Sequence, residues 1–267
     1  MRLGLATQYA MEATVGYRQV DYSAIEYQRR EYHQTSGSLG LRYRPRTALD
    51  LGLALRLTQA NYPRFAFDTV GQTWLSDKLT RKDIDLTANW VPNAISTVSV
   101  RLSPTRTTYD RNTGGDFSGL TGSVNWLWQP TGKSRLNSTL WRDTGQSSYA
   151  TSLGFGQPGV VDYSQIGTSL RFKGEQDVTG KIAATASLTY AHRTLVDTVR
   201  GTVLGFSNST SGNDNTVTLA LGGKWSATRS VQVGCDIHSE QRSSSNTQIS
   251  VPLRGNGVSC YGQIVLQ

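Results

Sequence analysis

The chain has 267 residues and a formal net charge of +8, with 17% charged and 37% hydrophobic residues. This length suits one large β-domain or two smaller domains, and the presence of only 7 Pro and 27 Gly excludes a collagen-like or low-complexity chain. No apolar run of about 18 residues exists, which excludes a transmembrane helix, yet 12 Tyr and 6 Trp are many for a water-soluble domain of such low charge.

Apolar and polar residues alternate along most of the chain, and this period of two is typical of β-strands with two different faces. In residues 49–57, Leu alternates with Asp50, Gly52, Ala54 and Arg56. The same alternation recurs at residues 38–44, 83–90, 165–172, 217–225, 231–238 and 258–266. We therefore predict an all-β chain of about 12–14 antiparallel strands.

Short and long connections alternate strictly between the predicted strands. The short ones lie near residues 10–12, 45–48, 91–94, 129–133, 174–180 and 226–229. The long polar ones lie near residues 23–31, 61–80, 109–116, 145–161, 194–214 and 243–253. This layout is typical of outer-membrane barrels, in which short periplasmic turns alternate with longer outer loops. The composition of the loops at 61–80 and 194–214 does not decide whether they fold inward or stay outside.

The sequence thus predicts an antiparallel up-and-down transmembrane β-barrel, forming a single domain over residues 1–267 in the bacterial outer membrane. About 13 strand-like segments can be counted, whereas bacterial single-chain barrels have an even number of strands. The first residues also lack the apolar core of a signal peptide. We expect that further strands precede this chain, and twelve strands is the alternative if residues 1–9 form none.

An aromatic residue stands just before each predicted short turn, mostly on the apolar face. Besides Tyr9, the residues concerned are Tyr43, Trp90, Trp128, Phe172 and Trp225. Amphipathic aromatic side chains collect at the interface between lipid and water. We predict a periplasmic aromatic girdle, with packing at hairpin ends as the alternative.

The polar face of a membrane barrel lines its water-filled interior. The predicted lumen residues are Arg18, Arg42, Asp50, Arg56, Asp83, Asp85, Arg101, Arg142, Arg171, Lys224, Asp236 and Arg242. Because the guanidinium fork suits carboxylate, phosphate or sulfate, the positive excess favours a pore for an anionic or hydroxyl-rich solute. The alternative is that Arg and Asp neutralise one another and stiffen the wall. The basic residues are scattered by strand, which argues against a nucleic-acid partner.

Cys235 and Cys260 lie on the same face of consecutive predicted strands. If the intervening loop is centred near residue 248, the two cysteines stand opposite each other, at a separation compatible with a disulfide. The periplasm and the cell surface are oxidising compartments that permit such a bond. We predict a disulfide, with two separate lipid-facing thiols as the alternative.

The three histidines, His33, His192 and His238, do not form a recognisable catalytic or metal-binding motif. His238, Ser239 and Glu240 are adjacent on one strand, so their side chains alternate between faces. We therefore predict a protein that is not an enzyme, without catalytic residues, bound metal or cofactor.

Three stretches resemble a known family. They are YRPRTALDLGL at 43–53, VGCDIHSEQRSSSN at 233–246 and the ending CYGQIVLQ at 260–267. They are similar to the β-barrel porin type 2 family, the EpsL-like outer-membrane proteins encoded in exopolysaccharide operons. The resemblance implies export of exopolysaccharide through an outer-membrane conduit, with lipid, polysaccharide and periplasmic export machinery as partners. A general diffusion porin for small anionic solutes is the alternative function.

Overall fold

A computed structural model of the chain describes residues 2–3, 8–24, 28, 31–68, 71–111, 116–153, 157–201, 207–228 and 230–264. No helix in this part of the chain has the length and apolar character needed to cross a membrane. The strands are β1 (Arg2–Leu3), β2 (Tyr9–Val20), β3 (Tyr32–Arg46), β4 (Leu49–Asp68), β5 (Thr73–Asn93), β6 (Ser96–Tyr109), β7 (Phe117–Thr131), β8 (Ser134–Leu153), β9 (Gln157–Asp177), β10 (Ile182–Gly201), β11 (Ser207–Ser226), β12 (Val231–Ser244) and β13 (Leu253–Ile264).

All described strands belong to one sheet, in which each strand pairs antiparallel with the next one along the chain. The strands after β1 are 12 to 21 residues long. A tilted strand needs about 9–11 residues to cross the hydrocarbon layer, so each of them is long enough. The sheet is open in the described residues, with β1 and β13 as its edges. The prediction of an all-β, up-and-down antiparallel chain is confirmed.

Several connections are shorter than the sequence predicted. β4 and β5 are separated only by residues 69–72, and β10 and β11 remain paired from Ile182–Trp225 as far as Arg200–Ser207. The predicted loops at 61–80, 145–161 and 194–214 are therefore mainly continuations of hairpins. Outside the bilayer both faces of a strand meet water, so the alternation fades although the backbone pairing continues.

The tips of two of these hairpins, residues 154–156 and 202–206, lie outside the described residues. The predicted turn at 10–12 was also wrong, because these residues belong to β2, which begins at Tyr9. The short turns at 47–48, 94–95 and 132–133 all lie at the same end of the sheet. By the outer-membrane pattern this is the periplasmic end, and the opposite end is the outer one.

The register gives the sheet one apolar and one polar face. Leu39, Leu55 and Ile84 are successive cross-strand neighbours on the apolar face and are 59%, 62% and 46% exposed. On the polar face, by contrast, Asp83 and Thr121 are buried although they are polar. Side chains converge on the concave side of a curved sheet and spread apart on its convex side. The polar face is therefore the inside of the curve, and a largely apolar surface covers the outside.

The predicted disulfide is confirmed. Cys235 and Cys260 are cross-strand partners of β12 and β13, their Cα atoms are 4.1 Å apart and their Sγ atoms are bonded. Their register positions lie on the apolar face, in line with Val233 and Ile237. Because β13 is an edge strand with one described neighbour, the bond holds it covalently to the sheet.

We expect the oxidised, heat-denatured chain to resist thiol-specific maleimide, because both sulfur atoms are in the disulfide. Reduction before labelling should add two maleimide groups per chain and slow electrophoretic migration, since the crosslink keeps the denatured chain more compact. A chain carrying Cys235→Ser and Cys260→Ser is the control and should show neither change. Labelling of the denatured chain without reductant would contradict the disulfide.

Candidate functional site

The polar, concave face of the sheet is the candidate site. With one exception, the register places the predicted lumen residues on this face. They are Arg18, Arg42, Asp50, Arg56, Asp83, Asp85, Arg101, Arg171, Lys224, Asp236 and Arg242. Their role in contacting a transported solute stays a prediction.

Arg142 is the exception, because it lies on the apolar face. Its cross-strand partners are Gly122 and Thr168, and its guanidinium donates to Thr168 Oγ1 and to the Leu120 carbonyl, at 3.2 Å in each case. It is exposed and takes no part in the polar wall.

The reason for this error lies in the sequence around Arg142. Leu140 and Trp141 are adjacent apolar residues, so the alternation of β8 can be read in either of two phases. The structure selects the phase that places Trp141 and Asp143 on the polar face, where Asp143 Oδ1 lies 3.2 Å from Arg81 Nη1. The side chain of Arg142, which lies between these two residues, must then point outward.

At the centre of the polar face, two buried aspartates share one cation. Asp83 accepts hydrogen bonds from Arg56 Nε at 3.3 Å, from Arg81 Nε at 2.9 Å and from Thr105 Oγ1 at 2.6 Å. Asp85, two residues further along β5, accepts one from Arg56 Nη2 at 3.1 Å and one from a serine hydroxyl. Arg56 therefore bridges both carboxylates through two nitrogens of its planar guanidinium group.

The ion pair between Arg81 and Asp143 connects strands that are not neighbours. Arg81 is on β5 and Asp143 is on β8, so the bond passes in front of β6 and β7. Such a contact requires strong curvature of the sheet, with the polar side chains meeting on the inside. The central cluster thus stabilises the curvature as well as neutralising charge.

Further ion pairs neutralise other parts of the polar face. Their shortest nitrogen–oxygen distances are 3.1 Å for Arg42–Glu12, 2.7 Å for Arg44–Asp50, 3.2 Å for Arg135–Glu175, 3.5 Å for Lys224–Glu175 and 3.3 Å for Arg242–Glu240. Sequence reasoning missed Glu12, Arg135 and Glu175, although each lies in phase with polar residues of its own strand. The expectation that Arg and acidic side chains neutralise one another holds for these pairs.

Four cations on the polar face are different. Arg18, Arg101, Arg171 and Lys173 form no ion pair within the described part of the chain, although Arg18 lies over the Tyr32 ring. Arg171 lies between Thr139 and Thr189, and Arg101 lies between Thr87 and Ser123. Their cross-strand neighbours are neutral, so their charge is available to a solute.

The connection between β12 and β13 folds onto the outer end of the polar face. Ser250 Oγ donates to Asp214 Oδ2 at 2.8 Å, and Arg193 Nε donates to Asp214 Oδ1 at 2.9 Å. Ile249 Cδ1 lies 3.7 Å from the position that a Cβ on Gly212 would occupy. This connection therefore narrows the outer end of the concave space, which the sequence did not predict.

The predicted girdle residues lie on the apolar face near the short turns. Tyr43, Trp90, Phe172 and Trp225 are 37–52% exposed there, and Trp128 is half-buried. Aromatic pairs reinforce the group: Tyr9 stacks on Tyr43 with ring centroids 4.9 Å apart, and Trp126 stacks on Trp128 at 5.7 Å. Contact of these rings with a lipid interface stays a prediction.

The histidines are dispersed. His33 Nδ1 lies 3.5 Å from Tyr17 Oη, His192 Nδ1 lies 2.7 Å from Asn215 Oδ1, and the His238 ring covers Gly257. In the residues that the structure describes, none of them hydrogen-bonds to a serine hydroxyl, and no group of three His, Cys, Asp or Glu side chains could hold a metal ion.

Comparison with solved structures identifies the fold. The ferric yersiniabactin uptake receptor FyuA from Yersinia pestis is similar, with a TM-score of 0.60 and 11% identity, over 89% of this chain and 43% of that chain. The copper transporter OprC has a TM-score of 0.55 and 6% identity, over 94% of this chain and 42% of that chain. The ferric citrate transporter FecA has a TM-score of 0.52 and 11% identity, over 96% of this chain and 41% of that chain. The chain has the fold of an outer-membrane β-barrel.

The chain spans only about two fifths of the length of these structures. At 6–11% identity the likeness concerns the fold alone. No protein-family model and no curated protein matches the sequence. Membership of the EpsL-like family therefore stays a prediction.

Proposed function

We propose that the chain forms the wall of a conduit in the bacterial outer membrane that exports exopolysaccharide, and that it is not an enzyme. The observation that carries this proposal is a set of cations without ion pairs, among them Arg101, Arg171 and Lys173, on a wall whose other charges are largely neutralised in the described residues. A neutralised wall needs no such cations for its own stability. They are available to an anionic or hydroxyl-rich polymer.

Passage along this wall would need no covalent chemistry. Guanidinium groups donate several hydrogen bonds in one plane, to carboxylates as well as to hydroxyl oxygens. In a hydrated interior each of these contacts is weak and exchanges readily with water, so a polymer can slide from one to the next. Polymer synthesis, or a periplasmic export partner, would supply the driving force.

A general diffusion porin for small anions is the second candidate. Arg171 and Lys173 favour it, because they lie two residues apart on the same face of β9 and both side chains are exposed. Two adjacent positive charges raise the local concentration of any small anion. The two candidates differ in whether polymer secretion depends on the chain.

We expect the triple variant Arg101→Gln, Arg171→Gln, Lys173→Gln to lower secreted polysaccharide about threefold or more, because each of these charges contributes roughly 1 kcal/mol or less of attraction. The measurement is the amount of polysaccharide in the medium of cells that carry the variant gene in place of the natural one. The matched control is Lys78→Gln, Lys133→Gln, Arg254→Gln, which removes three exposed cations outside the polar face and should leave secretion unchanged.

Single-channel conductance in planar bilayers separates the two candidates. Normal secretion by the triple variant, together with loss of anion selectivity in the bilayer, would reject the exopolysaccharide conduit and support the porin. If neither secretion nor selectivity changes, both candidates are wrong.

A further inference from the structure

A groove of about 1010 Å³ lies on the apolar face, across strands β2 to β7. Its apolar lining includes Val15, Leu39, Leu57 and Ile84. Gly37 forms part of the floor, where an added Cβ would meet no atom within 4 Å. This volume reaches the upper end of the range of about 300–1,000 Å³ that is typical of ligand pockets. The apolar face is thus not uniformly convex, and it offers a cradle for apolar chains.

Two cations stand side by side at the outer end of this groove. Lys82 on β5 and Arg106 on β6 are direct cross-strand partners and both line the groove. Both are exposed, and neither forms an ion pair or a side-chain hydrogen bond with any other described residue. Like charges directly opposite each other on a sheet are destabilising. An anion bound between them would remove that repulsion.

The height of these cations places them at the boundary of the lipid layer. Lys82 lies on the same face of β5 as Trp90, eight residues closer to the outer end, and Ile84 and Leu86 lie between them. At about 3.3 Å per residue and a tilt of about 35–45°, this separation corresponds to about 20 Å of height. The apolar band of outer-membrane barrels is about 25 Å tall. The backbone at Lys82 and Arg106 therefore lies near the outer edge of this band, from which their long side chains reach the outer headgroups.

Arg142 supplies a third positive charge beside the groove. Its Nε atom donates to the carbonyl of Leu120, which lines the groove, at 3.2 Å. It forms no ion pair with the acidic residues that the structure describes. The apolar face thus carries three cations close to one apolar groove.

We propose that this groove binds lipid A, the phosphorylated and multiply acylated glycolipid anchor of the outer leaflet. One phosphate lies between Lys82 and Arg106, and the acyl chains lie along Leu39, Leu55 and Ile84. Hydrogen bonds between guanidinium or ammonium groups and phosphate are among the strongest in proteins. Lipid A combines phosphate with several acyl chains, which matches cations at the rim of a wide apolar groove. This proposal is independent of the solute that passes along the polar face.

The test uses the full chain, refolded in detergent and incubated with bis-phosphorylated, hexa-acylated lipid A. Bound lipid is counted by native mass spectrometry over a range of lipid concentrations. We expect the variant Lys82→Gln, Arg106→Gln to bind about tenfold more weakly, which corresponds to about 1.4 kcal/mol. The control Lys78→Gln, Arg254→Gln removes two cations from the same face outside the groove and should bind as the natural chain does.

A second variant tests the apolar part of the site. Gly37→Phe fills the floor of the groove, and we expect it to weaken binding as well, because the acyl chains lose their contact surface. Heat-modifiable electrophoretic mobility verifies that each variant is folded. Equal binding by the natural chain and by both variants would overturn the proposal. Equal binding of dephosphorylated lipid A, or of phosphatidylglycerol, would overturn it too.

Discussion

Replacing Asp83 with Asn is expected to lower the free energy of unfolding of this protein by about 3–5 kcal/mol. The Asp83 side chain is completely buried and accepts hydrogen bonds from Arg56, Arg81 and Thr105. An amide has the same shape but carries no charge, and its NH₂ group donates where both arginines also donate. The two arginine side chains would then lose the negative charge that partly neutralises them in a poorly solvated cluster.

Unfolding by urea in lipid vesicles, followed by tryptophan fluorescence, measures this change. Asp110→Asn is the matched control, because Asp110 is exposed and its side chain makes no contact that the structure records in the described residues. A surface change of this kind is expected to alter stability by less than about 0.5 kcal/mol. Equal stability of the two variants would mean that the central cluster does not hold the curved sheet together.

Replacing Leu86 with Arg is expected to destabilise the protein in a bilayer by about 2–4 kcal/mol. Leu86 is 47% exposed on the apolar face, with Leu53 and Leu102 as its cross-strand partners. It lies between the aromatic residue near the short turn and the outer cations, so its side chain would be deep in the hydrocarbon. A guanidinium group placed there must either be desolvated or reach far along the strand to find water.

The same strand provides the control for this change. Asn89 lies three residues after Leu86, on the polar face, next to Asp50 on β4. Asn89→Arg adds the same side chain to a polar environment, so we expect a change of about 1 kcal/mol or less. Urea unfolding in vesicles measures both variants. A larger loss for Asn89→Arg than for Leu86→Arg would reverse the assignment of the two faces.

Much of the fold could be predicted because alternation is a local property. In residues 49–57 the leucines occupy every second position, so the two faces of β4 are determined by the residues themselves. The cysteines were also predictable, since the length of the intervening connection determines which residues oppose each other in a hairpin.

Where the local pattern is broken, sequence reasoning failed. Leu140 and Trp141 are both apolar, so the residues themselves did not decide the face of Arg142. The polar stretches at 145–161 and 194–214 carry no alternation, although backbone pairing continues through most of them. Backbone hydrogen bonds form regardless of side-chain pattern, so the point at which strand pairing ends cannot be read from composition.

The sequence by itself determined the fold class, the direction of each strand, the two faces and the disulfide, because these follow from a period of two and from chain connectivity. Only the tertiary structure decided which charges neutralise one another, such as Arg81 with Asp143 across two intervening strands. It alone showed Arg101 and Arg171 without ion pairs and placed Lys82 beside Arg106 at the groove. Such contacts depend on curvature and on the register of several strands together, and no single segment of sequence contains that information.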